Sequence, residues 1–239
     1  MSSLLHKIVD AHGGEEWSRL THLTALREFG GAFWSLKSVA GIAEHGRFTV
    51  DLDREHTRLD NFGDPDLHTD FTPGRVEIRR HDESVVEGLD DPRASFAGHE
   101  LTTPWNLLQL AYFTGYAMWT YNTEPGSFLL PGVTTEEIGP WVEPDGSRWE
   151  RLRVTYPPSL ATHTPVQTLY ADADGVLRRR DYEVDIAGGS PSVEYMSEHV
   201  RAGGLLLPGL REIYVRDAEG RAVRDPLIVS IRITDVEVF

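Results

Sequence analysis

The sequence predicts a mainly β protein of the α+β class: a large, strongly curved antiparallel sheet, or half-barrel, wrapped around one central apolar helix, with short helices at the N-terminus. Three observations predict it. Short alternating runs punctuated by Gly, Asp and Pro fill most of the chain, which is the pattern of successive antiparallel hairpins. A single long run, PWNLLQLAYFTGYAMWT (Pro104–Thr120), is apolar almost all round a helical wheel, as a helix enclosed by protein must be. The closing run has two distinct faces, with Leu227, Val229, Ile231 and Ile233 on one and Ile228, Ser230, Arg232 and Thr234 on the other. A sheet that is apolar on one face needs a partner to cover it, and the central helix is the obvious one. With 239 residues, 40% of them hydrophobic, the chain reads as a single domain over 1–239 with a sizeable core.

Taken in order, Ser3–Ala11 reads as an amphipathic helix with Leu4, Leu5 and Ile8 on one side, stopped by Gly13-Gly14. Glu15–Leu20 reads as a further turn that carries Trp17 and Leu20 onto the sheet. Strands are expected near 24–31, 33–39, 46–53, 56–62, 74–80 and 84–88, and again near 148–156, 166–172, 176–186, 192–201, 206–217 and 227–238. The central helix is expected to start at Pro104, with Thr103 as its cap, because proline suits the first helical position. The segments around 64–74 and 125–147 read as loops, and the cup is either open or closed by them.

Composition removes several function classes. A net charge of −15 opposes nucleic acid, which needs a basic surface to displace counterions. The absence of cysteine excludes disulfides, thiolate catalysis and Cys-ligated metal centres. No His/Asp/Glu pattern with metal-ligand spacing appears, and serine elbows, P-loops and dinucleotide glycine fingerprints are absent, so no metal or cofactor is expected. The apolar run is too short and too interrupted for an integral membrane segment, and MSSLLHKIVDAHGG lacks the features of an export signal, so a cytoplasmic protein is expected.

AHGGEEW near the N-terminus, PWNLLQLAYFTGYAMWTY in the middle, ATHTPVQTLYADADGVLRRRDYEV after it and the closing ITDVEVF together resemble a poorly characterised bacterial family. Its fold is similar to that of the LolA-like lipoprotein carriers. The resemblance covers nearly the whole chain and implies a half-barrel enclosing a helix and an apolar cavity; it implies no reaction, and the missing export signal departs from true lipoprotein carriers.

The cavity's candidate residues come from two places. On the helix, Asn106, Gln109, Phe113, Tyr116 and Thr120 form the one polar strip; with Trp105, Tyr112 and Trp119 they are candidates for a ligand wall, mostly apolar and oriented by a few polar atoms. In the run 176–186, the residues Val176, Arg178, Arg180, Tyr182, Val184 and Ile186 share a side that its last two members mark as inward. An inward arginine needs an anionic ligand or an internal partner, such as Asp181, Glu194 or Asp51, unless the register turns it out to solvent. His163 and Gln167 precede this run, and a hairpin can bring His163 to Tyr182 or Asp181.

Two functions of different classes fit. One is a cofactor-independent enzyme that isomerises, cyclises or adds to a hydrophobic oxygenated small molecule, with His163, Tyr182, Asp181 and Arg180 as its acid/base and charge-stabilising groups and Gln167 among the binding residues. The other is a non-catalytic carrier or sensor of an acyl or isoprenoid ligand. The polar run favours the enzyme; the apolar helix suits both.

Overall fold

The computed structural model describes residues 2–239. Helix α1 (Ser3–Ala11) and a 3-10 turn over Gly14–Ser18 lead into strand β1 (His22–Gly30), and helix α2 (Phe33–Leu36) follows. Five strands then run as successive hairpins: β2 (His45–Asp51), β3 (Thr57–Asp60), β4 (Leu67–Thr72), β5 (Arg75–Arg80) and β6 (Val85–Asp90). Helix α3 (Leu107–Thr123) separates these from β7 (Thr134–Val142), β8 (Arg148–Thr155), β9 (Val166–Ala171), β10 (Leu177–Val184) and β11 (Ser190–Ser197). A small ribbon of β12 (Val200–Ala202) and β13 (Leu205–Leu207) precedes β14 (Leu210–Arg216), β15 (Ala222–Val223) and β16 (Val229–Val238).

Fourteen strands make one antiparallel sheet, ordered β6-β5-β4-β3-β2-β1-β16-β14-β11-β10-β9-β8-β7, with β15 added to β14. The last strand pairs with the first, so β16 joins the half built before α3 to the half built after it. In β16 the expected alternation holds: Val229, Ile231 and Ile233 are buried between half-exposed Ser230 and Arg232.

The concave face is covered unevenly. Helix α3 packs on the first half of the sheet, against β2 to β5. Gly115 makes that approach possible, because a Cβ there would stand 2.4 Å from Cγ of Phe71. Thr57 Oγ1 donates to the Gly115 carbonyl at 3.0 Å, and Trp119 Nε1 donates to the carbonyls of Asp51 and Arg54 at 2.9 and 2.8 Å. Helix α1 covers the far end of the second half, where Leu4, Leu5, Ile8 and Val9 pack with Leu152, Val154, Leu169 and Leu177.

Four expectations are corrected. The α3 cap is Asn106, not Thr103: Asn106 Oδ1 accepts from Gln109 N at 2.9 Å while Gln109 Oε1 accepts from Asn106 N at 3.0 Å, a reciprocal capping box. Trp105 N donates instead to the Lys37 carbonyl at 2.9 Å, which draws the preceding residues into the core outside the helix. The run 33–39 is not a strand, because Phe33 and Trp34 are consecutive and both buried, which a helical turn allows and alternation does not. The segments 64–74 and 125–147 contain strands β4 and β7; β7 is a sheet edge, where Gly139 and Pro140 are tolerated at an irregularity. Finally, a bulge between Leu177 and Arg179 breaks the parity of β10, so Leu177 turns inward while Arg178 reaches Asp172 at 2.7 Å near the surface.

That bulge has a distant partner. Leu177 N donates to His12 Nε2 at 3.0 Å, while His12 Nδ1 donates to the Leu206 carbonyl at 2.7 Å. The arrangement needs a neutral ring, and burial lowers the His12 pKa to about 4. A folded-state pKa below the ordinary 6.5 means that this contribution is complete above 6.5 and is lost as pH falls through about 4. The thermal midpoint is therefore expected to drop over this range. In His12→Gln, which keeps an acceptor and a donor without titrating, the drop is expected to be shallower; parallel profiles would show that His12 is not responsible.

Candidate functional site

Because α3 leans on β2 to β5, a gap remains between it and the strands of the second half. The gap is a cavity with a free volume of about 50 Å³, room for a few waters. Its helix side is Phe113, Thr114, Ala117, Met118 and Tyr121. Its sheet side includes Phe29, Ile213, Val229 and Ile231. The outer end lies where Leu36, Leu101, Ser190 and Ile228 are exposed or half-buried, and Gly188 brings the 187–190 loop against Glu100 and Leu101.

The polar end is a chain of four side chains. His163 is 1% exposed, its Nε2 lies 2.8 Å from Tyr121 Oη and its Nδ1 lies 3.1 Å from Tyr116 Oη. Tyr121 Oη is 2.9 Å from Tyr182 Oη, and the Tyr182 ring stacks on the imidazole with centroids 4.5 Å apart. Burial, then the Arg180 and Arg93 charges, push the His163 pKa far below its ordinary value, so the ring is neutral and one nitrogen donates while the other accepts. Burial likewise raises the phenols of Tyr116, Tyr121 and Tyr182. The chain can run in either direction, as Tyr116 to His163 to Tyr121 to Tyr182 or the reverse, with every nitrogen satisfied.

Beneath this chain lies a buried ionic cluster at the C-terminal end of α3. Arg180 pairs with Glu124 and lies 3.5 Å from Glu194, Arg211 pairs with Glu194 and donates to the Tyr121 carbonyl, and Tyr156 Oη donates to Glu124 at 2.6 Å. None of the four charged residues is more than 3% exposed. The Tyr121 ring is gripped by both guanidinium groups, 4.7 and 4.9 Å from its centroid. Burial opposes the Arg180 charge, but Glu124 and Glu194 outweigh it and raise the pKa.

The sequence-derived candidates therefore divide. His163 and Tyr182 meet at the cavity, and Phe113 lines it. Tyr116 reaches it only through His163. Arg180 points inward, but its charge is taken by Glu124 and Glu194. Asp181 lies on the opposite face of β10, bound by Arg179 at 2.7 and 2.9 Å and by Tyr170 at 2.8 Å, away from His163. Gln109 caps the helix and donates to the Ser95 carbonyl, Trp119 ties the helix to the β2–β3 turn, and Trp105 packs with Phe33, Phe96 and Phe113. Tyr112 opens on a separate cleft beside Arg93, and Gln167 donates to the Thr164 carbonyl at 3.2 Å. Sequence reasoning missed Tyr121, which lies one residue beyond the expected helix. It missed the Thr114, Ala117, Met118 and Tyr121 strip because polarity was followed, whereas the cavity wall is the apolar strip beside it. Among the described residues no group of three or more His, Asp or Glu converges on a metal position, and no helix is long and apolar enough to cross a membrane.

An open antiparallel half-barrel holding one helix, with a cavity between them, defines a LolA-like fold. The comparisons agree. The structure is similar to a DUF1329 family protein from Desulfovibrio piger, with a TM-score of 0.53 at 10% identity over 98% of this chain and 91% of that one. It is similar also to the LolA superfamily protein NE2245 from Nitrosomonas europaea, with a TM-score of 0.50 at 9% identity over 98% and 91%. No protein-family model matches the chain, and no curated protein does.

The ionic cluster yields a direct test. Glu124→Gln, which leaves Arg180 without its principal counter-charge, is expected to lower unfolding free energy by about 3–5 kcal/mol in urea titrations. Adding Arg180→Met is expected to recover most of that loss, because a neutral pair needs no compensation; a double variant as weak as the single would refute the pairing.

Proposed function

We propose that this protein is a non-catalytic binder, a carrier or sensor, of a lipid-like molecule held between α3 and the second half of the sheet. The observation that carries the reading is the cavity itself: mostly apolar on the helix and sheet sides, where Thr114 and Ser192 turn their hydroxyls to backbone carbonyls, open at one end and closed at the other by a chain of polar side chains. The LolA-like fold supports it, although fold alone never fixes function. Acid/base catalysis is the weaker reading on this geometry. It would draw on Arg180 and Asp181, and both are held by other residues, one on each face of the sheet. The remaining groups are a neutral histidine and three phenols hydrogen-bonded to one another, which hold a ligand without supplying charge to a reaction.

The free volume of the cavity is smaller than a full acyl chain, so occupation widens the gap between α3 and strands β14 and β16. Native mass spectrometry of freshly purified protein is expected to show an adduct that organic extraction identifies as lipid-like. A bare mass together with no uptake of an apolar fluorophore would remove the reading. Ala117→Leu, which adds carbon atoms to the helix side of the cavity, is expected to weaken fluorophore uptake by about tenfold, the equivalent of a modest overpacking cost. Unchanged uptake would put the ligand elsewhere.

A further inference from the structure

The polar end of the cavity also selects among lipid-like ligands. Resting on the binding reading above, we infer that the site takes a molecule whose head is a single uncharged oxygen function, a hydroxyl or a carbonyl, seated on the Tyr182 hydroxyl, and that it discriminates against carboxylates.

The hydrogen-bond inventory leads there. Of the hydroxyl groups that line the cavity, that of Ser190 lies at the half-exposed outer end, Thr114 Oγ1 donates to its own helix at Leu110, and Ser192 Oγ is directed to the Ser190 carbonyl at 3.4 Å. Tyr121 Oη is used twice, by His163 and by Tyr182. Tyr182 Oη has one partner among the described residues, Tyr121. When the chain runs from Tyr116 towards Tyr182, the Tyr182 hydrogen is left to donate; when it runs the other way, Tyr182 donates to Tyr121 and offers a lone pair. A carbonyl fits the first state, and a hydroxyl fits both. The two directions interconvert by moving hydrogens along the chain, with no change in charge.

The charges close the other possibility. A carboxylate brought to this end would need a cation, and each nearby arginine is already matched: Arg180 to Glu124 and Glu194, Arg211 to Glu194, and Arg93 to Asp185 at 3.0 Å. Two guanidinium groups and two carboxylates leave no net positive charge. Three atoms of the cluster are buried without a hydrogen-bond partner among the described residues, Glu194 Oε2 and Nε and Nη1 of Arg180; Oε2 and Nε face each other at 3.5 Å, and neither residue lines the cavity. His163 supplies no charge either, since both of its nitrogens are committed to phenols. An anionic head would therefore be desolvated without compensation, whereas an uncharged oxygen gains the one open hydrogen bond.

The test displaces a bound apolar fluorophore, at pH 8, with decanol, 2-decanone and decanoate. Decanol and decanone are expected to compete at least about tenfold better than decanoate, and Tyr182→Phe is expected to lower the preference for decanol over decanoate by about tenfold, the worth of one well-placed hydrogen bond. A cooperative thermal transition in the variant shows that it is folded. Decanoate competing as well as decanol would overturn the inference and leave the binding reading standing. A preference for decanol that survives unaltered in Tyr182→Phe would overturn the assignment to Tyr182, because desolvation alone would then account for it. Failure of the fluorophore to bind the parent protein at all would overturn the binding reading, and this inference with it.

Discussion

The four buried charges at the end of α3 set the geometry on which everything else rests. Two arginines from β10 and β14 and two glutamates, one from β11 and one immediately after the helix, meet where water is excluded. Such a cluster is a poor source of stability, since desolvation consumes most of the Coulombic gain, but a shift that separates one partner leaves a charge buried and unpaired. Arg211 donates to the Tyr121 carbonyl and both guanidinium groups flank the Tyr121 ring, so the helix terminus is fixed at a set distance from the second half of the sheet. Along its length the same helix is drawn the other way, onto β4, by the absence of a side chain at Gly115. A rod held close on one side and spaced on the other leaves a gap, and the cavity is that gap.

The same balance governs what chemistry the gap can host. Charges that neutralise one another beneath the wall leave neutral hydrogen-bonding atoms facing the cavity. Under the reading proposed above, such a site would orient an oxygen atom and shelter hydrocarbon. Reactions that develop charge need a counter-charge that is free to act, and the arginine closest to the purpose is already engaged. The convex face repeats the logic with different residues: Arg179 is enclosed by Asp181, Glu143 and Tyr170, which binds the β7–β8 turn to β10.

Much of the architecture was legible because it follows from periodicity. The alternation of β16, the helix Ser3–Ala11 and the all-round apolar character of α3 are one-dimensional records of what each segment buries. Where the reading went astray, a contact distant in sequence had intervened. Lys37 holds Trp105 outside the helix and shifts its start; an edge strand such as β7 need not alternate because neither face is fully covered. The pairing of His163 with Tyr182 could be anticipated from a hairpin, but the bulge at Leu177 could not, since what stabilises it lies near the N-terminus. The polar strip on α3 misled for a related reason: polar atoms on a buried helix answer to caps and carbonyls as often as to a ligand.

The contact between His12 and Leu177 bears on the order in which the chain assembles. It spans 165 positions, and it completes the backbone of the strand that carries Arg180 and Tyr182. Contacts of such separation form late, because the loop they close must first lose its freedom. During synthesis the first helix emerges long before the strand it serves, and β10 has an unanswered backbone donor until that helix returns. The N-terminal segment thus acts as a keystone, made before β10 and set after it, and the strand that carries Tyr182 into the cavity is completed only when the first helix meets it.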